Sequence, residues 1–149
     1  MKALVQRVSS ASVGVNNKNI GTIGGGLLIF IGIYSDDSVD DIRKICNKII
    51  NLRIFNDSEN KMNRSILDIN GEILLVSQFT LCADTKKGNR PSFNNAMNPK
   101  NAINLFSSLK DELSRLISVK VGKFGENMDV SLVNEGPVTI MLDTKNENK

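Results

Sequence analysis

The segment Ser77-Gln78-Phe79-Thr80 closes the apolar run Ile73-Leu74-Leu75-Val76 with a hydroxyl, an amide and a second hydroxyl. A strand end that turns out of a core sets backbone N–H groups beside such side chains, which is the geometry that holds an oxyanion. The same residues also suit a plain strand edge running into a turn. A second segment, Asn134-Glu135-Gly136-Pro137-Val138-Thr139, sets a Gly-Pro pair between two apolar runs and by itself reads as a turn. A third, Lys86-Lys87-Gly88-Asn89-Arg90-Pro91-Ser92-Phe93, gathers Lys86, Lys87 and Arg90 around a glycine. It fits a phosphate backbone and equally a solvated charge run. The glycines from Gly21 to Gly26 lead into a strand and not a helix, so neither a P-loop nor a dinucleotide fingerprint is present, and a hairpin is expected there.

What the chain lacks narrows the chemistry further. It contains no histidine, which removes Ser-His-Asp and Cys-His mechanisms and the commonest metal ligand. Cys46 and Cys82 stand far apart, so a four-thiolate zinc site cannot form within one chain. Cys46 falls on the apolar stripe of an expected helix and reads as core; Cys82 has no identifiable base. Carboxylates such as Asp84 and Asp129 are scattered without the spacing of a metal cage or an acid/base pair. No metal and no cofactor are expected.

With 19 basic and 16 acidic residues the net charge is +3, so any polyanion must be met by a local cluster. Two distant cysteines without a signal-like start fit a reduced intracellular protein. The longest apolar run, Leu27 to Tyr34, is far too short for a membrane span, so no membrane association is expected.

The elements that must position these groups follow from periodicity. Met1 to Val8, Ser12 to Val15 and Ile20 to Ile23 read as strands, and Leu27 to Tyr34 as a central strand buried on both faces. Val39, Ile42, Ile45, Cys46, Ile49 and Ile50 recur at helical spacing behind a cap at Asp36, Asp37 or Ser38. Arg53 to Phe55 reads as a strand end before a polar loop, Asn56 to Asn63. Ser65 to Ile69 and Ile73 to Thr80 read as a hairpin around Asn70-Gly71. The polar stretch Cys82 to Asn98 is a long connection of the functional or mobile kind. Asn98-Pro99 opens a second helix whose apolar face runs Ala102, Phe106, Leu109, Leu113, Leu116, Ile117. Val119 to Val121, Met128 to Val133 and Val138 to Leu142 complete the strands, and Thr144 to Lys149 is expected to fray. The sum is one α+β domain over residues 1–149, with a strand-rich barrel-like or two-sheet core and two main helices.

Together these segments resemble the D-aminoacyl-tRNA deacylases, also called D-tyrosyl-tRNA deacylases, a family marked by Ser-Gln-x-Thr and Asn-x-Gly-Pro-x-Thr motifs. Here they stand as Ser77-Gln78-Phe79-Thr80 and Asn134-Glu135-Gly136-Pro137-Val138-Thr139, with Gln6-Arg7-Val8, Ala11-Ser12-Val13 and the Lys87-to-Phe93 loop also similar. The resemblance implies a cytoplasmic enzyme of translation quality control. Its reaction is hydrolysis of the ester joining a D-amino acid, or glycine, to the 3′-terminal adenosine of tRNA. It also implies a homodimer with active sites at the subunit interface. There a cis Gly136–Pro137 loop, framed by Asn134 and Thr139, enters the partner's pocket as a chirality filter, its carbonyls meeting the substrate's α-amino group. Arg7 would orient that loop, Ser77, Gln78, Phe79 and Thr80 would form the catalytic segment, and Lys86, Lys87 and Arg90 would contact tRNA. With no base near Thr80, the reading favours the Phe79 amide, Gln78 and the adenosine 2′-OH over a Thr80 nucleophile. The competing readings are a non-catalytic RNA-binding module and a small-ester hydrolase unconnected to tRNA.

Overall fold

The computed structural model describes residues 1–145. In chain order it contains β1 (Lys2–Val15), β2 (Lys18–Ile23), β3 (Gly26–Gly32), α1 (Val39–Asn51), β4 (Phe55–Asn56), β5 (Met62–Arg64), β6 (Glu72–Ser77), a 3-10 turn (Phe79–Cys82), α2 (Pro99–Ser114), β7 (Ser118–Val121) and β8 (Asp129–Asp143). The main sheet runs β2-β1-β3-β6-β7, and β8 pairs along the other side of β1. β3 pairs with β6 and β6 with β7 in parallel; the remaining pairs are antiparallel. Gly21 on β2 faces Val13, Leu74 and Lys120, so the sheet curls until β2 approaches β6 and β7. The result is the α+β, barrel-like core expected, with a small second sheet of β4 and β5.

Alternation along the central strands produces two cores. Leu27, Ile29 and Ile31 of β3, with Ile73 and Leu75 of β6, face α1 and α2, where Ile42, Ile45, Ile49, Phe106, Leu109 and Leu113 are buried against them. Leu28, Leu74 and Val76 face the other way and fill the barrel with Val8, Val13 and Ile23. Each such side chain contributes about 1.5–3 kcal/mol of burial. Ser38 caps α1 in a capping box with Asp41.

Several expectations are corrected. Met1–Val8 and Ser12–Val15 are one strand, because β8 pairs along the whole of β1. β2 and β3 do not form a hairpin; each pairs with β1 on a different stretch. The glycine run serves close approach instead: a Cβ at Gly26 would lie 1.9 Å from the Glu72 carbonyl oxygen. Asn70-Gly71 makes no hairpin either. Residues 66–70 are turns, Asn70 takes a positive φ of 49°, and β6 pairs in parallel with strands distant in sequence. Asn-Gly favours any left-handed turn, not only the hairpin kind. The loop after Phe55 contains the short β4–β5 pair, and α2 stops at Ser114, leaving Leu116 exposed.

Thr144, expected to open a frayed tail, is instead held in place. That residue is buried, accepts a 2.7 Å hydrogen bond from the Met1 ammonium and donates one of 2.7 Å to Asp41. The same ammonium pairs with Asp37 at 2.7 Å. Burial pushes the Asp41 carboxyl up, but the bonds from Thr144 and the Ser38 amide, with Lys145 and the ammonium nearby, outweigh it and hold it at about 2. Residues 146–149 of that tail lie outside the described residues.

Candidate functional site

The Ser77–Thr80 segment begins where β6 ends. The Gln78 amide still donates to the Ile31 carbonyl at 2.7 Å, prolonging the β3–β6 pairing by one bond. The chain then folds into the 3-10 turn directly over the end of β3. This position depends on Gly32, where a Cβ would lie 2.8 Å from Leu81 Cβ, 3.1 Å from Cys82 Sγ and 3.2 Å from the Gln78 oxygen. Gln78 itself is the cap of the turn and makes no side-chain capping bond, so its side chain does not close off the first amides of the turn. Its Nε2 donates to Thr80 Oγ1. Phe79 is 57% exposed and meets Phe93 edge-on, with centroids 5.1 Å apart.

A cleft of about 690 Å³ opens at this point, lined by Ser77, Gln78 and Phe79 from one wall. Met97, Ala102 and Phe124 are among those completing it, from the start of α2 and the loop after β7. Those lining residues were not foreseen, because single apolar residues at a helix start and in a glycine loop carry no sequence signal of a cavity. Among the described residues, Glu126 is the one ionisable side chain lining the cleft, and it pairs with Lys123 at 3.2 Å. Cys82 lies buried behind the turn; burial first, and then Asp37, pushes its thiol up to about 11, so it is not a nucleophile at neutral pH. The cleft therefore offers backbone donors, the Ser77 hydroxyl and the amides of Gln78, Asn98 and Asn127, with Glu126 already engaged by a lysine; Thr80 lies behind Gln78 and not in the lining.

The Asn134–Thr139 segment lies elsewhere. β8 is one strand, and the expected Gly-Pro turn between two strands is a bulge within it. On β1 the partners Gln6 and Val8 are two residues apart, while their partners Thr139 and Asn134 are five apart, so three extra residues are thrown outward. Glu135, Gly136 and Pro137 are exposed there, and the Gly136–Pro137 bond is cis, as the resemblance implies. Asn134, with its amide oriented to satisfy both neighbours, donates to the Val138 and Arg7 carbonyls at 3.2 and 3.3 Å. Gln6 Nε2 donates to Thr139 Oγ1 at 3.4 Å.

Beneath the bulge sits Arg7, a cation only 4% exposed. Its guanidinium donates to the Glu135 carbonyl at 3.2 Å, the Gly136 carbonyl at 3.3 Å and the Ile54 carbonyl at 2.5 Å, with the Glu135 carboxylate 3.7 Å away. A planar fork of fixed donors orients the carbonyls it binds, which a lysine cannot do. Gly136 needs no special backbone and has open space: a Cβ placed there would have the Asn134 amide nitrogen, at 4.0 Å, as its nearest neighbour.

Within one chain the two motifs do not meet. Arg7 is level with Leu27 and Ser77 with Ile31, four residues along β3, and β8 lies three strands from β6. At about 3.3 Å per residue and about 4.8 Å per strand, the path between them along the curled sheet is roughly 20 Å. The basic loop instead stands at the cleft rim: Asp84 and Ser92 pair across its base at 2.8 and 2.9 Å, and Phe93 beside it lines the cleft, while Lys86, Lys87 and Arg90 are exposed.

An α+β barrel-like domain with a cleft of this kind matches solved structures. One, described as a c-Myc DNA unwinding element binding protein, is 41% identical with a TM-score of 0.92, over 97% of this chain and 99% of its own. Another, described as a probable eukaryotic D-amino acid tRNA deacylase, shares the fold at 19% identity with a TM-score of 0.74, over 95% and 97%. The family model for D-Tyr-tRNA(Tyr) deacylase matches residues 4–143, and the chain belongs to that family. It is a hydrolase that acts on D-aminoacyl-tRNA.

Proposed function

We propose that catalysis runs without a side-chain base, in the cleft at Ser77, Gln78, Phe79 and Thr80, and that a second copy of the chain completes each site. The supporting observation is that the two motifs stand on separate parts of the chain's surface, roughly 20 Å apart along the sheet. A homodimer in which the Gly136–Pro137 loop of one subunit enters the cleft of the other would unite them. An apolar row supports such docking. Met141, Leu4 and Phe30 are successive cross-strand partners on one face of the sheet, and the row continues into Val76 at the cleft. Met141 is 49% exposed in the single chain.

An aminoacyl ester is already activated, so a modest set of donors suffices. The Phe79 amide and the Gln78 side chain would receive the charge that develops on the ester carbonyl oxygen, each well-placed donor being worth about 2.7–4 kcal/mol in comparable sites. The adenosine 2′-OH of the substrate would orient the attacking water. Thr80, bonded to Gln78, would fix that amide from behind. Gly136 and Pro137, carried by Arg7 and framed by Asn134 and Thr139, would admit the α-ammonium of a D-amino acid or glycine and leave no room for an L side chain. Lys86, Lys87 and Arg90 at the rim would take tRNA phosphates. The reaction belongs to chiral proofreading in the cytoplasm, where aminoacyl-tRNA is used.

The experiment is single-turnover deacylation of D-tyrosyl-tRNA and L-tyrosyl-tRNA by wild type and Thr80→Ala, with a D-substrate lacking the terminal 2′-OH. The D-ester is expected to be cleaved and the L-ester spared, Thr80→Ala to keep a rate within about tenfold, and the 2′-deoxy substrate to react poorly. Complete loss in a folded Thr80→Ala, with the deoxy substrate still cleaved, would make Thr80 the nucleophile.

A further inference from the structure

Outside both motifs, the face of α1 that turns away from the core carries Lys44, Asn47, Lys48 and Asn51, spaced three and four residues apart. With Leu52 and Arg53 these residues line a second cleft of about 440 Å³. Three cations and two amides line it, and among the described residues no carboxylate does, in a chain whose whole net charge is +3. Arg53 is fixed in place, its Nε donating to the Asn63 carbonyl at 2.9 Å and its terminal nitrogen to Asn63 Oδ1 at 2.8 Å. All but the half-buried Leu52 are exposed.

The location of this cleft gives it a meaning. Arg53 is followed by Ile54, whose carbonyl accepts from Arg7, and the same guanidinium holds the Gly136 carbonyl. The Arg53 end of the basic cleft thus adjoins the base of the protruding loop, at the level of Arg7 and Leu27 and not of Ser77 and Ile31. We propose that Lys44, Lys48 and Arg53 form a phosphate-binding surface for the RNA of a substrate whose aminoacyl end lies in the partner subunit's cleft. This rests on the reading that the loop enters that cleft. A polyanionic strand leaving the partner's pocket beside the inserted loop meets this surface first, whereas a strand leaving the chain's own pocket meets the Lys86–Arg90 loop. Each tRNA would then be held by cations of both subunits.

The test compares wild type with Lys44→Gln/Lys48→Gln on two probes: D-tyrosyl-tRNA, and D-tyrosyl adenosine, which has the scissile ester without phosphates. The variant is expected to keep the D-tyrosyl adenosine rate and to bind tRNA more weakly. The slope of log affinity against log salt should fall by about 1.4–1.8, so the defect shrinks about tenfold between roughly 50 and 200 mM salt. An unchanged slope, or equal loss on both probes, overturns the proposal. Unchanged tRNA affinity with lost binding of a polyglutamate peptide overturns it too and assigns the cleft to an acidic protein. A wild type that cleaves neither probe would instead sink the deacylase reading itself. Mixed dimers decide which pocket is served. Lys44→Glu/Lys48→Glu should cripple tRNA cleavage when carried by the chain whose own cleft is filled by Ser77→Trp. It should be harmless when carried by the chain with the working cleft. The reverse pattern, or a monomeric wild type, overturns the assignment to the partner's pocket.

Discussion

At the cleft, the Ser77–Thr80 segment is held by main chain. One strand bond from Gln78 to Ile31 and the absence of a side chain at Gly32 let the turn settle on β3. At the bulge, main chain pairing is interrupted, and a buried guanidinium takes over by binding the carbonyls of Glu135, Gly136 and Ile54. The first region is a hollow whose one ionisable lining side chain among the described residues, Glu126, is paired with Lys123. The second is an exposed projection with a charged anchor beneath it. A receptor can be left to the regular sheet, but a projection that has left the sheet needs its own fixed partner, because its backbone groups no longer find one in the ladder. The pairing of a hollow with an anchored projection on one chain is the physical case for a site made by two copies.

The sharpest way to break this comparison is to remove the anchor. Arg7→Met leaves three carbonyls without their shared donor, so the loss in stability should be about 2–4 kcal/mol. Activity should fall by about 100-fold or more, because a small displacement of a positioning loop has that effect. Arg7→Lys keeps the charge without the fork and should restore stability more than activity; denaturant melts and single-turnover rates separate the two. At the cleft, Gly32→Ala should push the turn off β3, lowering stability by about 1–3 kcal/mol and the rate by about tenfold or more, with D/L discrimination retained. Gly136→Ala has the smallest structural effect and the most selective functional one. The open space around it predicts a change in stability within about 0.5 kcal/mol. A severalfold loss of D-tyrosyl-tRNA cleavage should remain if the loop enters the partner's cleft as proposed, because the added methyl would then meet that cleft and not its own chain. Unchanged cleavage and discrimination would remove Gly136 from the filter.

The two regions were legible in the sequence to different degrees, for the same physical reason. Ser77–Thr80 follows an apolar run, and a strand closing in polar residues is a local pattern, so a donor-rich strand end was readable from the residues themselves. The Asn134–Thr139 segment showed only a turn from its residues, since a bulge depends on the partner strand's register, which is not local. Its role, and that of Arg7, came from the resemblance. The misreadings share that cause. Asn70-Gly71 suited a hairpin locally, but β6 pairs with distant β3 and β7. Gly32 carries no signal of its own within the apolar run Leu27 to Tyr34, and only the turn packed against it reveals why a side chain is excluded there. The α1 surface carried no motif at all, and its proximity to the loop appears only through Ile54 and Arg7.

The central claim, that each site is shared, is tested most directly by mixing two inactive chains. Ser77→Trp fills the cleft and leaves the loop intact; Gly136→Phe blocks the loop and leaves the cleft intact. Each alone should be a folded dimer without D-tyrosyl-tRNA deacylation. After the two are unfolded and refolded together in equal amounts, half the dimers are mixed and each carries one intact cleft facing one intact loop, so about a quarter of wild-type activity should return. If the refolded mixture contains mixed dimers and no activity returns, the motifs do not act on each other across the subunits.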